Sequence, residues 1–525
     1  MKKRWITILI LLSTLSSSLV AWGNGYDNNF KVRVGIFYGS NAKPSYTIGG
    51  TQLYVAANNQ VLMQTSANQM QVSRANIYYF NQSSNSYEEA SAQTGLAYYS
   101  NGSFYPASTS SAAGFTPTGQ ADILITANDG RNLALVGSVD QFIGSTDDVV
   151  SINGTRYREK ANIINNGRSL VAVNIVGLDH YLMGVVPKEM SPSWNMEALM
   201  AQSIVARNYV VTNMNKHRSE GFNICNTTSC QVYGGMSAET QRTNAAVMQT
   251  SGMMMYYGGY LVEGYFHSSS GGRTESSANA WGGWKPYLLG TDDPFSLGSP
   301  HDLWVVQMSG EEIRQQLARS GVNVGEVTGI TISKISENGR VLEMVVHGSG
   351  GSHTIKKDKI RKTLGSNKFK STFFTIANPA IVGGAVRPKT ADKNESQTPN
   401  LKKAEPLEKV FGNLGIVIDK QSAGKEPAKA PEKVEQKEQQ PASNPKPVLQ
   451  PTSQPVPPTA QYKPQYLPQP IMQNFTVTGN QFVFYGRGYG HGVGMSQYGA
   501  KSMGDRGYNF QSILQYYFKG VTIAR

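Results

Sequence analysis

Between residues 384 and 470 the chain loses the means to build a core. Lys, Glu, Pro, Gln and Ser dominate there, as in residues 425–431 (KEPAKAP) and 450–458 (QPTSQPVPP). So few apolar side chains cannot offset the entropy of ordering, so the tract is expected to be disordered, with extended Pro-rich parts. One short apolar island, 410–418 (VFGNLGIVI), is the exception. Whatever packs must therefore come from the residues before 384 and after 470. In 525 residues that leaves room for two or more domains with cores of their own.

The N-terminus has a different bias. Met1 to Arg4 is basic and residues 5–12 (WITILILL) are apolar, but serines and Thr14 then dilute the run. It is too short for a bilayer span, which needs about 20 apolar residues. It reads as a secretory signal over 1–22 with cleavage near Ala21, and an uncleaved N-terminal anchor is the alternative. Charged residues are only 16% of the chain, while Gly, Ser, Asn and Tyr abound, which suits a protein exported to the periplasm or cell envelope. The net charge of +13 favours polyanionic partners. The sequence contains no recognised nucleic-acid-binding module, so nucleic acid is not the expected partner.

Residues 28–150 alternate as strands do: Val32, Val34 and Ile36, then Ile123 and Ile125, then Leu133 and Leu135. The tyrosines between 78 and 105 are expected to pack on one another rather than on a ligand. This region carries no acid/base pair, and a scaffold or wall-contact role is the default. From 168 to 176 another strand leads to residues 178–194 (LDHYLMGVVPKEMSPSW), where Glu189 stands between Val185, Val186 and Pro187 on one side and Met190 and Trp194 on the other. Poor solvation disfavours the charged form, so Glu189 is expected to hold its proton near neutral pH and to serve as a general acid. The rival reading is a surface carboxylate capping the next helix. Asn195 is the expected N-cap of that helix, which is predicted to reach about residue 216.

Residues 178–209 resemble the SpoIID/LytB family of bacterial cell-wall proteins, and the likeness continues in 231–235 (QVYGG), 269–274 (SSGGRT), 281–283 (WGG) and 486–501 (GRGYGHGVGMSQYGAK). It covers roughly residues 165–383 and 475–525, so the tract at 384–470 is an insertion within the family core. The resemblance implies an α+β fold: a SpoIID-like core with a substrate cleft, first part 151–383 and second part 471–525, preceded by a β-rich N-terminal region. It also implies a lytic transglycosylase. Glu189 would protonate a glycosidic oxygen of peptidoglycan, and the 6-hydroxyl of the same N-acetylmuramic acid unit would close a 1,6-anhydro ring. Arg207, Ser269, Ser270, Gly271, His491, Tyr498 and Lys501 are assigned to substrate contact or to support of the cleft. The implied substrate is glycan stripped of stem peptides, which makes an N-acetylmuramoyl-L-alanine amidase the natural partner. A non-catalytic amidase enhancer and a wall-binding protein remain the alternatives.

The two cysteines, Cys225 and Cys230, share one loop. Export makes a disulfide the first expectation, and free thiols remain open. No cofactor is required by this chemistry, although some members of the resembled family bind metal here through cysteine and histidine; His217 is the nearest histidine. Structural zinc usually wants four protein ligands, one more than these residues supply. No HExxH-like pair supports a metal-dependent hydrolase.

Overall fold

The computed structural model describes residues 30–57, 60–75, 77–81, 86–89, 96–100, 103–106, 123–137, 141–377 and 474–525. The expected leader at 1–22, the tract at 384–470 with its island at 410–418, and the side-chain packing of the 78–105 tyrosines lie outside them. Among the described residues no helix is long and apolar enough to cross a membrane. The fold is α+β with a β-rich N-terminal region, and the chain divides into two compact units. One lies within Met1–Phe266, Pro286–Leu288 and Ala500–Arg525, the other within His267–Lys285 and Leu289–Gly499.

In the first unit the alternating apolar residues do what their period predicts. Val32, Val34 and Ile36 of strand Lys31–Phe37 are buried. That strand is antiparallel to Leu170–Gly177, in a seven-stranded sheet ordered Ile224–Cys225, Lys31–Phe37, Leu170–Gly177, Lys160–Asn165, Gln141–Ser145, Leu53–Ala57, Gln60–Thr65. A six-stranded sheet holds Asn132–Val136, Ile123–Ala127, Gln69–Arg74, Ser45–Gly49, Val149–Ile152 and Thr155–Arg158. The boundary expected at residue 150 therefore does not separate the units: strands from both sides of it share each sheet. Helices α1 (Leu178–Glu189), α2 (Met196–Thr212) and α3 (Gln241–Gln249) pack in this unit, as does Phe510–Tyr517. Helix α2 is buried on nearly every side: Leu199, Ile204, Val205 and Val210 are fully buried, and so are the polar Gln202, Ser203, Arg207 and Asn208. It ends at Thr212 rather than near 216. The Asn213 side chain donates to the Tyr209 carbonyl, and the Thr212 hydroxyl donates to the Asn208 carbonyl, which satisfies the last turn locally. The end of the chain completes the unit: strand Thr522–Ala524 pairs with Met254–Tyr257.

In the second unit a three-stranded sheet is ordered Leu303–Ser309, Gln481–Arg487, Phe374–Ala377, and a four-stranded sheet Gly351–Lys356, Val341–Gly348, Val327–Ile335, Phe475–Thr478. Helix Gly310–Arg319 opens with a capping box between Ser309 and Glu312. Trp304, Phe369, Phe374 and Phe484 form an aromatic centre, mostly edge to face. The Trp304 indole lies against the backbone of Gly486 and donates its N–H to the Gly488 carbonyl at 3.0 Å. A Cβ at residue 486 would stand 2.1 Å from the Trp304 ring. Gly486→Ala is therefore expected to destabilise this unit by about 1–3 kcal/mol through overpacking. Hydrogen exchange of strands Leu303–Ser309 and Gln481–Arg487 measures it; unchanged protection would show that the ring yields freely.

Candidate functional site

Glu189 is the last residue of α1, so the start of that helix decides where it sits. Gly177, the N-cap, has no side chain to cap with. Glu159 takes over: its Oε1 accepts from the Gly177 amide at 2.7 Å, and His180 Nδ1 lies 2.8 Å from the same oxygen. Its Oε2 accepts from Lys31 Nζ at 2.7 Å. A carboxylate at a helix N-terminus also meets the positive end of the dipole. Burial alone would raise the Glu159 pKa, but His180, Lys31 and the Gly177 amide outweigh it and bring it down to about 2. No feature near Glu159 in the sequence announced this role.

At the other end, Pro187 lies within the last turn, and the chain turns extended at Met190. Residues 185–189 are thus helical up to and including the glutamate. A proline so near the end removes one donor but does not break the preceding turns. Val185 and Val186 are fully buried and Met190 nearly so, which is the expected apolar frame; Glu189 itself is partly exposed. Its Oε1 accepts from the Val232 amide at 3.0 Å. That amide is itself held in place. The Tyr181 hydroxyl donates to Gln231 Oε1, the Tyr233 hydroxyl donates to Asn174, and the Tyr181 and Tyr233 rings stack at 5.1 Å. Close approach of this loop to α1 needs Gly184, where a Cβ would come within 2.5 Å of the Tyr233 ring. Glu189 does not cap α2: Asn195 does, accepting from the Glu197 amide.

Arg207 is wholly buried in α2, with Nη2 on Asp179 at 2.8 Å and Nη1 on the Met253 carbonyl. Asp179 also accepts from the Ser251 hydroxyl. From this position Arg207 braces the first turn of α1 instead of meeting solvent. Burial lowers its pKa and Asp179 works against that. Lys501 is half-exposed and pairs with Asp505 at 2.6 Å.

The remaining expected residues lie in the second unit. The Ser269 and Ser270 hydroxyls are buried and committed internally, Ser269 to Ser299 and Ser270 to Asp293 and Ser296. Gly271 has φ 74°, and a Cβ there would press on Gly488 at 2.7 Å, so this loop and the one around Gly488 touch through backbone. The Tyr498 amide donates to the Ser268 carbonyl. His491 Nδ1 accepts from the Val493 amide, and its ring lies 5.2 Å from Trp281 and 5.5 Å from His267.

Cys225 and Cys230 are free thiols in the structure, not the disulfide first expected. Their sulfurs and His217 Nε2 all lie within 4.8 Å of one another, and Cys230 Sγ is 3.5 Å from that nitrogen. Bonds of about 2.3 Å to sulfur and 2.0 Å to nitrogen at a tetrahedral angle would put the pair about 3.5 Å apart. The donor set therefore fits a zinc ion. Glu220 lies 2.6 Å from His217 Nδ1, which leaves Nε2 to face the thiols. The Cys230 thiol, with help from Thr227 and Tyr38, brings Cys225 down to about 4 against the effect of burial.

The Glu159 pKa generates a pH test. Its folded value lies below the ordinary glutamate value of 4.5. Its stabilisation is thus present above about 4.5 and lost as pH falls toward 2. Glu159→Gln is expected to lower the melting temperature of the first unit at neutral pH, and the gap from wild type should close as the pH is brought down through that window.

Residues 166–257 match a family described as Stage II sporulation protein (SpoIID), and residues 301–384 match a domain of unknown function. An amidase enhancer of Bacillus subtilis is 26% identical over 388 residues, covering 72% of this chain and 45% of that protein. The Stage II sporulation protein D of the same organism is 29% identical over 214 residues, covering 37% of this chain and 60% of its own. An uncharacterised protein of Brachyspira hyodysenteriae is 31% identical over 236 residues, covering 45% of this chain and 63% of its own length. The matches thus span from under half to just over three-fifths of these relatives. With the motifs at 178–209, 231–235 and 486–501, they show that residues 166–257 are a SpoIID-family segment and that the chain is similar to SpoIID-family proteins beyond it.

Proposed function

We propose that this protein acts on the bacterial cell wall as a lytic transglycosylase, with Glu189 as its single acid and base. The observation that carries this reading is the Glu189 carboxyl group, held by the Val232 amide at the end of α1 in an apolar frame. The amide fixes the carboxyl group in direction, and the apolar frame lies on one side of a group that stays partly exposed. Protonated Glu189 gives its proton to the glycosidic oxygen as the bond from that oxygen to the anomeric carbon breaks. The 6-hydroxyl of the same muramic acid unit then bonds to that carbon and returns a proton to Glu189. The glutamate ends as it began, and no water is consumed. Most glycosidases hydrolyse instead, using a second carboxylate to activate a water or as nucleophile, a role that the single-glutamate reading does not need.

The substrate is peptidoglycan glycan, cleaved best once its stem peptides are gone, and the protein works in the envelope beside an amidase that removes them. The likeness to an amidase enhancer supports that partnership. It also favours a second reading, in which the chain stimulates the amidase without cutting glycan. Glu189→Gln separates the two, because it keeps shape and removes the proton donor. Mass spectrometry of stripped peptidoglycan is expected to show 1,6-anhydro ends with wild type and none with the variant. Equal amidase stimulation by both proteins, with no anhydro ends from either, would favour the enhancer.

His217, Cys225 and Cys230 would hold zinc as a structural ion, joining the residues after α2 to strand Ile224–Cys225. Metal analysis of protein purified under reducing conditions is expected to find zinc that Cys225→Ser loses, and chelation should lower the melting temperature of wild type only. A non-reduced mass lower by two hydrogens, with no zinc, would assign the cysteines to a disulfide instead.

A further inference from the structure

The WGG motif at 281–283 has no part in the reaction above. It ends the short helix Ser277–Trp281, which Gly282 terminates in the left-handed region with φ 94°. A Cβ on Gly283 would meet nothing within 4 Å. Trp284 stands on that open tip and is 66% exposed. Trp281 is 42% exposed, with its ring 5.2 Å from His491 on the other side. Leu289 is 45% exposed and is bridged to Ser276, the N-cap of the same helix. Three large apolar side chains thus meet solvent around one helix of five residues. Scattered singly such residues need no explanation, but gathered on one element they mark a contact surface.

Cations border this surface. Lys357 Nζ donates to the Ala278 carbonyl at 3.1 Å and lies 3.5 Å from where a Cβ on Gly282 would stand. Lys357 belongs to residues 356–370 (KKDKIRKTLGSNKFK), which hold seven lysines and arginines against Asp358 alone. The Lys356 and Lys362 side chains are 62% and 69% exposed, and Lys359 is exposed as well. The carboxylates nearby are engaged: Asp358 with Arg361 and Lys362, Glu343 with Lys356, and Glu337 with Asn279. No acidic residue occurs from Ser276 to Gly290. The charge that this side of the second unit offers to a partner is therefore positive.

We propose that this surface docks the protein on an anionic lipid bilayer, with Trp284, Trp281 and Leu289 entering the headgroup boundary and Lys359 and Lys362 meeting lipid phosphates. Indole rings settle at that boundary, since they join an apolar body to a polar N–H. Leucine adds apolar area there, whereas it offers a sugar ring no face to stack on. The exposed cations are lysines rather than arginines. Hydrated point charges on flexible stems suit a diffuse field of phosphates better than a bidentate contact to a single carboxylate. The docking goes beyond the reaction at Glu189 and does not depend on it.

The full chain is mixed with vesicles of phosphatidylcholine, with or without a third of phosphatidylglycerol, and followed by co-sedimentation and tryptophan emission. Wild type is expected to bind the anionic vesicles with a blue-shifted emission and to be released by high salt. Trp284→Ala should lose most of the shift. Lys359→Ala and Lys362→Ala should each weaken binding about fivefold, the worth of one lysine at an anionic surface. All three side chains are exposed, so the variants should match wild type by circular dichroism. Every chain keeps the same apolar N-terminus, so a difference from wild type arises at this surface. Equal binding by wild type and all three variants would overturn the proposal, as would equal binding to neutral vesicles. Binding to inorganic polyphosphate but to neither vesicle would overturn it in favour of a soluble polyanion. Loss of binding to isolated peptidoglycan by Trp284→Ala, with vesicle binding unchanged, would overturn it in favour of glycan. Vesicle binding needs no turnover, so failure of the transglycosylase reading leaves this result standing.

Discussion

The geometry around Glu189 depends on a carboxylate at the opposite end of its helix. Glu159 ties the first amide of α1, His180 and Lys31 to one point. A helix of 12 residues is marginal by itself, and its direction comes from what holds its ends. Glu159 holds one end, and the buried Arg207–Asp179 pair fixes the first turn from the side of α2. A guanidinium buried so deeply costs several kcal/mol when its carboxylate is removed. The reactive end can therefore stay partly open, because the rigidity is supplied about three turns away.

Much of this was legible in the chain. The alternation at Val32, Val34 and Ile36 gave the strand, Asn195 marked the start of α2, and Gly258 and Gly259 closed the hairpin after Met254–Tyr257 with positive φ at both positions. The apolar neighbours of Glu189 were visible as a local run. What was hidden is contact at long sequence separation. Glu159 is 18 residues from Gly177 and 128 from Lys31, and Arg340 is 70 from Ser270. No local period reports such pairs. The cysteines show the same limit: their spacing suits a bridge, and only the fold brings His217 near both sulfurs.

The serine and glycine motifs change character in the structure. Ser269 and Ser270 look like hydroxyls offered to a ligand, yet both are buried and serve their own loop. Their contribution is to bring backbone against backbone at Gly271 and Gly488. Small residues permit that approach, and polar side chains satisfy what it buries. Glycine, serine and buried charge thus build much of the frame around these loops.

Both units are closed by residues that follow the 384–470 tract. Thr522–Ala524 joins the sheet of Met254–Tyr257, and Gln481–Arg487 is the central strand between Leu303–Ser309 and Phe374–Ala377. Neither unit can finish folding while its early part alone has left the ribosome. Each unit thus stays incomplete until residues beyond 470 have been made. By the same logic, a protease that cuts the tract after folding divides the polypeptide without dividing either sheet.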